Sequence, residues 1–323
     1  MTEPLDVLAI GNAIVDVLAS APDELLERHG LTKGEMRLVD TEGAERLYAD
    51  MPPAVEASGG SAGNTAAGVA SLGGAAGYVG KVADDELGAV YTHDIRAAGV
   101  EFTTPPLVGG LPTARSMIVV TPDAHRTMST YLGAANLLTV DDIDVAQVAR
   151  ARVTYLEGYL WDPPEAKEAF RKAMDTAHAH GQLAALTLSD AFCVDRFRDE
   201  FIDLADNHVD LLFCNEAELL SLYQVDDFDT ALAKVRGRSS IAAVTRSEKG
   251  SVLVRGDELH TVPAAPTELV DTTGAGDLYA AGVLFGLSRG LGLDECGRIG
   301  SIAAAECISH MGARPQARLA DLI

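Results

Sequence analysis

Positive charge is scarce in this sequence. Lys and Arg number 25 against 48 Asp and Glu, for a formal net charge of −23. A chain this acidic repels nucleic-acid phosphates and anionic membrane surfaces unless a basic patch intervenes, and no run of Lys or Arg makes one. Cysteine is equally sparse. Cys193, Cys214, Cys296 and Cys307 form no C-x-x-C pair, which argues against zinc or thioredoxin-like chemistry and fits a reducing cytoplasm. The scattered histidines offer no H-x-x-x-H, so a histidine metal cluster is not expected. No uncharged apolar stretch is long enough to span a bilayer. The first residues lack a positive n-region, and Asp6 and Asp16 interrupt the apolar run, so no secretory leader is expected. Low-complexity tracts, long linkers and internal repeats are absent too. The expectation is a cytoplasmic globular protein with neither nucleic-acid nor membrane partner.

What is present is enough for a full core: 323 residues, 47% hydrophobic, sized for one large domain or one with a small appendage. Strand-length apolar runs alternate with amphipathic helical stretches. Strands are expected at 5–10, 76–79, 153–156, 183–188, 209–213 and 241–245. Helices are expected at 64–72, 86–98, 164–180, 275–288 and 294–309. The 164–180 helix has Pro at its start and Gly181 just after its end. This βαβα rhythm predicts an α/β fold, a parallel sheet covered by helices on both faces. Segments 14–20, 115–120 and 126–132 break the rhythm. They read as strands with hairpin-like connections, suited to a small separate sheet.

The stretch Asp271-Thr272-Thr273-Gly274-Ala275-Gly276-Asp277 precedes an apolar helix. Glycines at a helix start leave backbone N–H groups accessible, and the helix dipole favours an anion there. Asp277 then stands where a carboxylate can reach a hydroxyl beside that anion, which phosphoryl transfer to an alcohol requires. The plainer alternative is a Gly-rich turn with Asp277 as a first-turn residue. Other nucleotide signatures fail. No G-x-G-x-x-G follows the first strand, and around Gly80-Lys81 a P-loop lacks its Ser/Thr and first Gly.

A second site is Gly59-Gly60-Ser61-Ala62-Gly63-Asn64. It matches the G-x-S-x-G of hydrolases, but that motif should follow a strand, and residues 51–56, with Pro52 and Pro53, read as a poor one. The better reading brings backbone close to a polyol at the paired glycines, with Asn64 offering donor and acceptor. Asp16, on an early strand, offers an acceptor for two hydroxyls of the same sugar.

Together, Gly59-Gly60-x-x-x-Asn64 and Asp271-Thr272-x-Gly274-Ala275-Gly276-Asp277 resemble the paired signatures of the PfkB/ribokinase family. Asn215-Glu216-Ala217-Glu218 resembles its N-x-x-E motif, and Thr245-Arg246-Ser247-Glu248-Lys249-Gly250 its T-x-G-x-x-G strand. The resemblance runs the length of the chain. It implies a ribokinase-like three-layer αβα sandwich, a single kinase domain over 1–323, with a mostly parallel sheet and a small β lid from about 12–40 and 100–132. It implies Asp277 as general base and Gly274, Ala275 and Gly276 as anion hole, with Arg126 helping to stabilise the transferred group. Asn215 and Glu218 match residues that organise Mg²⁺ through water and phosphate. Thr245 and Gly250 match nucleotide contacts, and Ser247 departs from the usual Gly. Asp271 and Thr273, with the backbone near Cys307, His310 and Gly312, match a monovalent-cation loop, whose use of K⁺ the resemblance leaves open.

A narrower resemblance points to the adenosine kinase branch. It rests on Gly11-Asn12 with Asp16, on Arg126 with Tyr131-Leu132-Gly133-Ala134-Ala135-Asn136, on Gly158-Tyr159-Leu160, and on Leu188-Ser189-Asp190-Ala191-Phe192. It implies that Asn12, Asp16, Gly59, Gly60 and Asn64 hold a ribose, and that Met36, Tyr159, Leu160 and Phe192 wall a base. Read from periodicity alone, plain core packing is the favoured reading of those apolar positions. The expected reaction is transfer from ATP, with Mg²⁺, to the 5′-hydroxyl of a ribonucleoside, adenosine foremost, by a monomer or homodimer. The alternatives are a kinase for a free sugar such as ribose or fructose, and a non-catalytic sugar- or nucleotide-binding regulator.

Overall fold

The computed structural model describes residues 3–123, 125–236, 238 and 240–323. Leu5-Asp6-Val7-Leu8-Ala9-Ile10 is apolar at all positions but one, the pattern of a strand covered on both faces. It forms β1 (Leu5–Ile10), buried throughout. Val7 and Ala9 point into one core and Leu8 and Ile10 into another, so the two-residue period of the strand feeds both helical layers.

The main sheet contains β1, β5 (Ala76–Val79), β6 (Val100–Phe102), β9 (Ala151–Glu157), β10 (Leu183–Thr187), β11 (Leu211–Asn215), β12 (Ile241–Thr245), β13 (Ser251–Arg255) and β14 (Glu258–Val262). Their order is β14-β13-β12-β11-β10-β9-β1-β5-β6. All neighbours from β6 to β12 are parallel, and β13 and β14 close the edge as an antiparallel hairpin. One face is covered by α3 (Ser61–Ser71), α4 (Glu86–Ala97), α10 (Ala275–Ser288) and α11 (Leu293–Ile308). The other carries α5 (Val145–Ala149), α6 (Pro164–Ala179), α7 (Ala191–Asn207), α8 (Glu216–Tyr223) and α9 (Phe228–Arg236). This is the three-layer αβα arrangement.

The rhythm-breaking segments form a second sheet, ordered β3 (Met36–Leu38), β8 (Arg126–Tyr131), β7 (Ala114–Val120), β2 (Ile14–Ser20) and β4 (Val55–Ser58). β7 and β8 are a hairpin, but β2 and β7 pair in parallel. Helices α1 (Asp23–Arg28) and α2 (Thr41–Asp50) fill this sheet's own small core. The sequence reading missed β4, because Pro52 and Pro53 mask a short strand that starts just after them. Val100–Phe102, within the expected lid segment, belongs to the main sheet.

From β1 the chain adds β5 and β6 on one side, then returns to β9 on the other. Strand order therefore reverses between β1 and β9. The carboxyl ends of such strands, where helices on opposite faces diverge, form the ligand crevice of open α/β sheets.

Candidate active site

Two glycine-rich turns meet at that crevice. Gly274 has φ +80°, a left-handed conformation suited to glycine, and α10 starts at the next residue. The Ala275 N–H is already spent on the Thr272 carbonyl at 3.2 Å. Among the described residues, the N–H groups of Gly276 and Asp277 donate to no protein acceptor. Nothing lies within 4 Å of where a Gly276 Cβ would stand. Unspent donors at the positive end of a 14-residue helix make an anion seat.

Asp277 lies in the first turn of α10. Ser61 Oγ, 216 positions away in sequence, donates to its Oδ1 at 2.7 Å, and Asn64 Nδ2 donates to its Oδ2 at 2.9 Å. Burial pushes its carboxyl above the ordinary aspartate value, opposed by those two bonds and by the charge of Arg314. A carboxylate so held, beside an anion seat, is built to take a proton from a hydroxyl. A strand does precede the Gly-x-Ser-x-Gly stretch, contrary to expectation. Yet β4 belongs to the small sheet, and the Ser61 hydroxyl is engaged with Asp277 rather than with a histidine.

Asn12 follows β1. Its N–H and Nδ2 both donate to Glu157 Oε1, at 3.2 and 2.8 Å, and Ala62 N–H donates to Glu157 Oε2 at 2.8 Å. Glu157 thus ties the ends of β1 and β9 to the first turn of α3. The sequence reading passed over it, although a carboxylate closing a buried apolar strand before Gly158 is itself a signal. Asn12 Oδ1 and Asn64 Oδ1 are buried without a protein partner, two acceptors for a polyhydroxyl ligand. Asp16 packs its carboxyl where a Gly59 Cβ would stand, which is why that position has no side chain. Among the described residues no protein group donates a hydrogen bond to Asp16. Burial raises its pKa to about 6, against the lowering charges of Arg314 and Arg126.

Tyr159 and Phe192 are brought into one local unit. Tyr159 N–H donates to Ser189 Oγ at 3.1 Å and its hydroxyl to the Ser189 carbonyl at 3.2 Å, while Asp190 caps the helix that carries Phe192. Ser189 holds φ +72°, a strained non-glycine conformation of the kind that collects at ligand sites. Phe192 is 65% exposed, far more than a packing role would leave it. Leu160 corrects the sequence reading. It has no accessible surface and belongs to the core with Trp161, because the short 3₁₀ turn Gly158–Trp161 buries Leu160 and Trp161 together and leaves Tyr159 outward. Met36 is exposed on edge strand β3.

Residues expected at the nucleotide stand at the ends of β11 and β12, where Asn215 and Thr245 are register partners. Asn215 and Glu218 form a capping box. Asn215 Oδ1 accepts from Glu218 N–H at 2.9 Å, and the Glu218 carboxylate accepts from Asn215 N–H and Nδ2 at 3.0 and 2.6 Å. Among the described residues no group of three or more His, Cys, Asp or Glu side chains could hold a metal. A Mg²⁺ ion here would therefore take most of its oxygens from phosphate and water. Ser247 adopts φ +50° and Gly250 φ +83°, so serine follows the left-handed path that glycine would take. Arg246 grips Glu216 through two bonds of 3.0 and 3.2 Å and lies over the Phe228 ring, which fixes this loop.

Arg126 reaches from the small sheet to ion-pair with Asp271. The other donors to Asp271 are Thr273 N–H and Oγ1, at 3.0 and 2.7 Å, and Gly312 N–H at 3.0 Å. Cys307 Sγ touches the Thr273 and Gly312 carbonyls. Asp271, Thr273, Cys307 and Gly312 thus lie together, with the Asp271 carboxylate engaged by protein donors, while His310 bonds to Glu306 and the Met311 carbonyl instead.

A match to the pfkB carbohydrate kinase family spans residues 37–318. The chain belongs to that family. It is similar to an adenosine kinase structure from Sinorhizobium meliloti, 57% identical, covering 99% of this chain and 98% of that one with TM-score 0.91. A probable sugar kinase from Rhizobium etli is 52% identical with the same coverage and TM-score. The adenosine kinase of Saccharomyces cerevisiae is 28% identical over 97% of this chain and 96% of its own length. As a pfkB-family kinase the protein is a phosphotransferase with an alcohol acceptor and a small-molecule sugar or nucleoside substrate, and the family implies ATP as donor with Mg²⁺ its usual companion. A purely regulatory binder is thereby set aside. No helix among the described residues is long and apolar enough to cross a membrane.

The buried carboxyls of this pfkB kinase set a pH dependence of stability. Burial raises Asp16 to about 6 and both Glu157 and Glu218 to about 7. Between the ordinary and raised values the folded state holds protons that the unfolded chain has released. Raising pH through that window therefore favours unfolding. The ligand-free enzyme should melt at progressively lower temperature from pH 5 to about 7.5 and level off above. Thermal melts across pH 5–8.5 test this, and a melting temperature that climbed with pH would contradict it.

Proposed function

We propose that this kinase transfers the γ-phosphoryl group of ATP to the 5′-hydroxyl of a ribonucleoside, adenosine foremost, with Asp277 as general base. The observation that carries the reading is the Asp277 carboxylate, held by Ser61 and Asn64 beside the unspent N–H groups of Gly276 and Asp277. Asp16, Asn12 and Asn64 would bind the ribose hydroxyls from the β1 side. Asn215, Thr245, Ser247 and Gly250 would bind the nucleotide from the β11 and β12 side. Three to four strand spacings separate these groups, roughly 14–19 Å at about 4.8 Å each, room for a triphosphate lying along the sheet edge. Bound Mg²⁺ would neutralise phosphate charge. The protein's part is to orient the hydroxyl, accept its proton at Asp277 and offer N–H groups to the transferred phosphoryl. The small sheet would act as a lid that excludes water, and Arg126 would join the phosphoryl contacts on closure.

The acceptor is the finer part of this reading. Exposed Phe192 and Tyr159 offer a face to a base, and stacking of this kind is worth roughly 1–3 kcal/mol. Phe192→Ala should therefore weaken adenosine use about tenfold or more in kcat/KM, with little effect on any activity towards free ribose. A screen of ATP consumption against nucleosides and free sugars gives the baseline. Efficient phosphorylation of a free sugar with no turnover of any nucleoside would refute the base pocket and leave the kinase assignment intact.

A further inference from the structure

Arg314 lies in the C-terminal segment, outside every motif that marks the site. Its Nη2 donates to Ser58 Oγ at 2.9 Å, and Ser58 N–H and Oγ donate in turn to Asp94 Oδ2 at 2.7 and 2.6 Å. Ser58 ends β4 and directly precedes Gly59, against which the Asp16 carboxyl packs. On the other side, Arg314 Nη2 stands 3.5 Å from where a Gly63 Cβ would lie, in the helical turn whose Ser61 and Asn64 hold Asp277. Its Nε is buried with no protein partner, and no carboxylate lies within ion-pairing distance of it among the described residues. A guanidinium in such a place, half-buried and unpaired, is costly unless it serves nearby negative charge.

We propose that Arg314 is a positioning residue for phosphoryl transfer: it braces the turn leading into α3 and supplies the counter-charge for the two site carboxylates, Asp16 and Asp277. The inference rests on the reading of Asp277 as base. Other charged or titratable groups acting on these carboxylates include Arg126 from β8, Tyr155 and Glu157 from β9, Tyr159 just after it, Tyr91 from α4 and Cys307 from α11. Arg126 is paired with Asp271, and the rest are neutral or acidic. The positive charge of Arg314, more than that of Arg126, opposes the rise at Asp16, and it also acts to lower Asp277 and Tyr91. A single charge within several ångströms at an effective dielectric of about 20 moves a neighbouring carboxyl by on the order of one pH unit.

The test is the pH profile of kcat/KM for the wild type and for Arg314→Gln, Arg314→Met and Arg314→Lys, each checked by thermal melting. The neutral variants should move the acidic limb about one unit to higher pH, with a loss of kcat/KM that approaches tenfold on the acid side of the limb and vanishes on the plateau. Arg314→Lys, which keeps the charge, should leave the limb within about 0.3 unit of wild type. Superimposable profiles for folded neutral variants, or an equal shift in the Lys variant, would overturn the proposal. Unfolding of both neutral variants would assign Arg314 to the fold alone and overturn it as well. Failure of the underlying reading has a different signature, namely Asp277→Asn retaining the wild-type profile.

Discussion

Asp277→Asn is expected to lower kcat by about 10²–10⁴-fold, the usual contribution of a positioned general base. The substitution is nearly isosteric. Ser61 can still donate to the remaining oxygen. Asn64, whose Oδ1 has no protein partner, can turn its amide to accept from the new NH₂ group. The fold and ATP binding should therefore survive, with a melting temperature close to that of wild type. Ser61→Ala removes one donor to the carboxylate and leaves the base itself. Its loss should be about tenfold or less. The two variants together decide between a kinase and a hydrolase, since a hydrolase would need Ser61 and tolerate the change at position 277. Steady-state assays of ATP consumption with adenosine are sufficient. Near-full activity of Asp277→Asn alongside an inactive Ser61→Ala would rule out phosphoryl transfer with Asp277 as base.

Gly60→Ala is expected to be nearly as damaging, for a reason rooted in the backbone. Gly60 sits at φ +82°, and a Cβ there would fall on the carbonyl oxygen of Asn12. With ψ at 137° this backbone lies outside the left-handed helical region, in positive-φ space that costs a non-glycine residue of order 1–3 kcal/mol. The collision adds to that, because neither backbone can retreat without moving Asn12 or the start of α3. A total of about 3 kcal/mol or more is reasonable for this mechanism. Activity should fall more than a hundredfold, since Asn12, Asp16 and Ser61 are all displaced. Gly73→Ala is the control. Gly73 has φ +84° with nothing within 4 Å of its would-be Cβ, so only the conformational cost applies. Denaturant melts should separate the two by about 2 kcal/mol. Equal losses would mean that the Asn12 contact is not what demands glycine at position 60.

The strands β1, β5, β9, β10, β11 and β12 were legible as continuous apolar runs buried on both faces, and α3, α4, α6, α10 and α11 as helix-length apolar segments with their own start and stop signals, whereas α7, the longest helix, was not called. β4 and β3 were not. They are short, mostly exposed and defined by pairing rather than by their own pattern. Met36, Tyr159, Leu160 and Phe192 looked alike as apolar residues. Burial alone separates Leu160, which is core, from Phe192, which faces outward, and burial is a property of the folded chain.

The sequence by itself determined the chemistry on offer: a glycine turn at a helix start, a carboxylate after it, and paired glycines before Asn64. Those depend on local backbone and residue type, which neighbours in the chain specify. Only the tertiary structure decided what each group touches. It set Ser61 and Asn64 on Asp277 and Arg126 on Asp271, gathered Asn12 and Ala62 around Glu157, and brought Arg314 from the C-terminal segment to Ser58. These contacts join residues as much as 256 positions apart. No periodicity or propensity encodes a hydrogen bond across such a separation. It exists because the reversal of strand order between β1 and β9 opens one crevice, and the helices entering it carry their polar first turns to the same point.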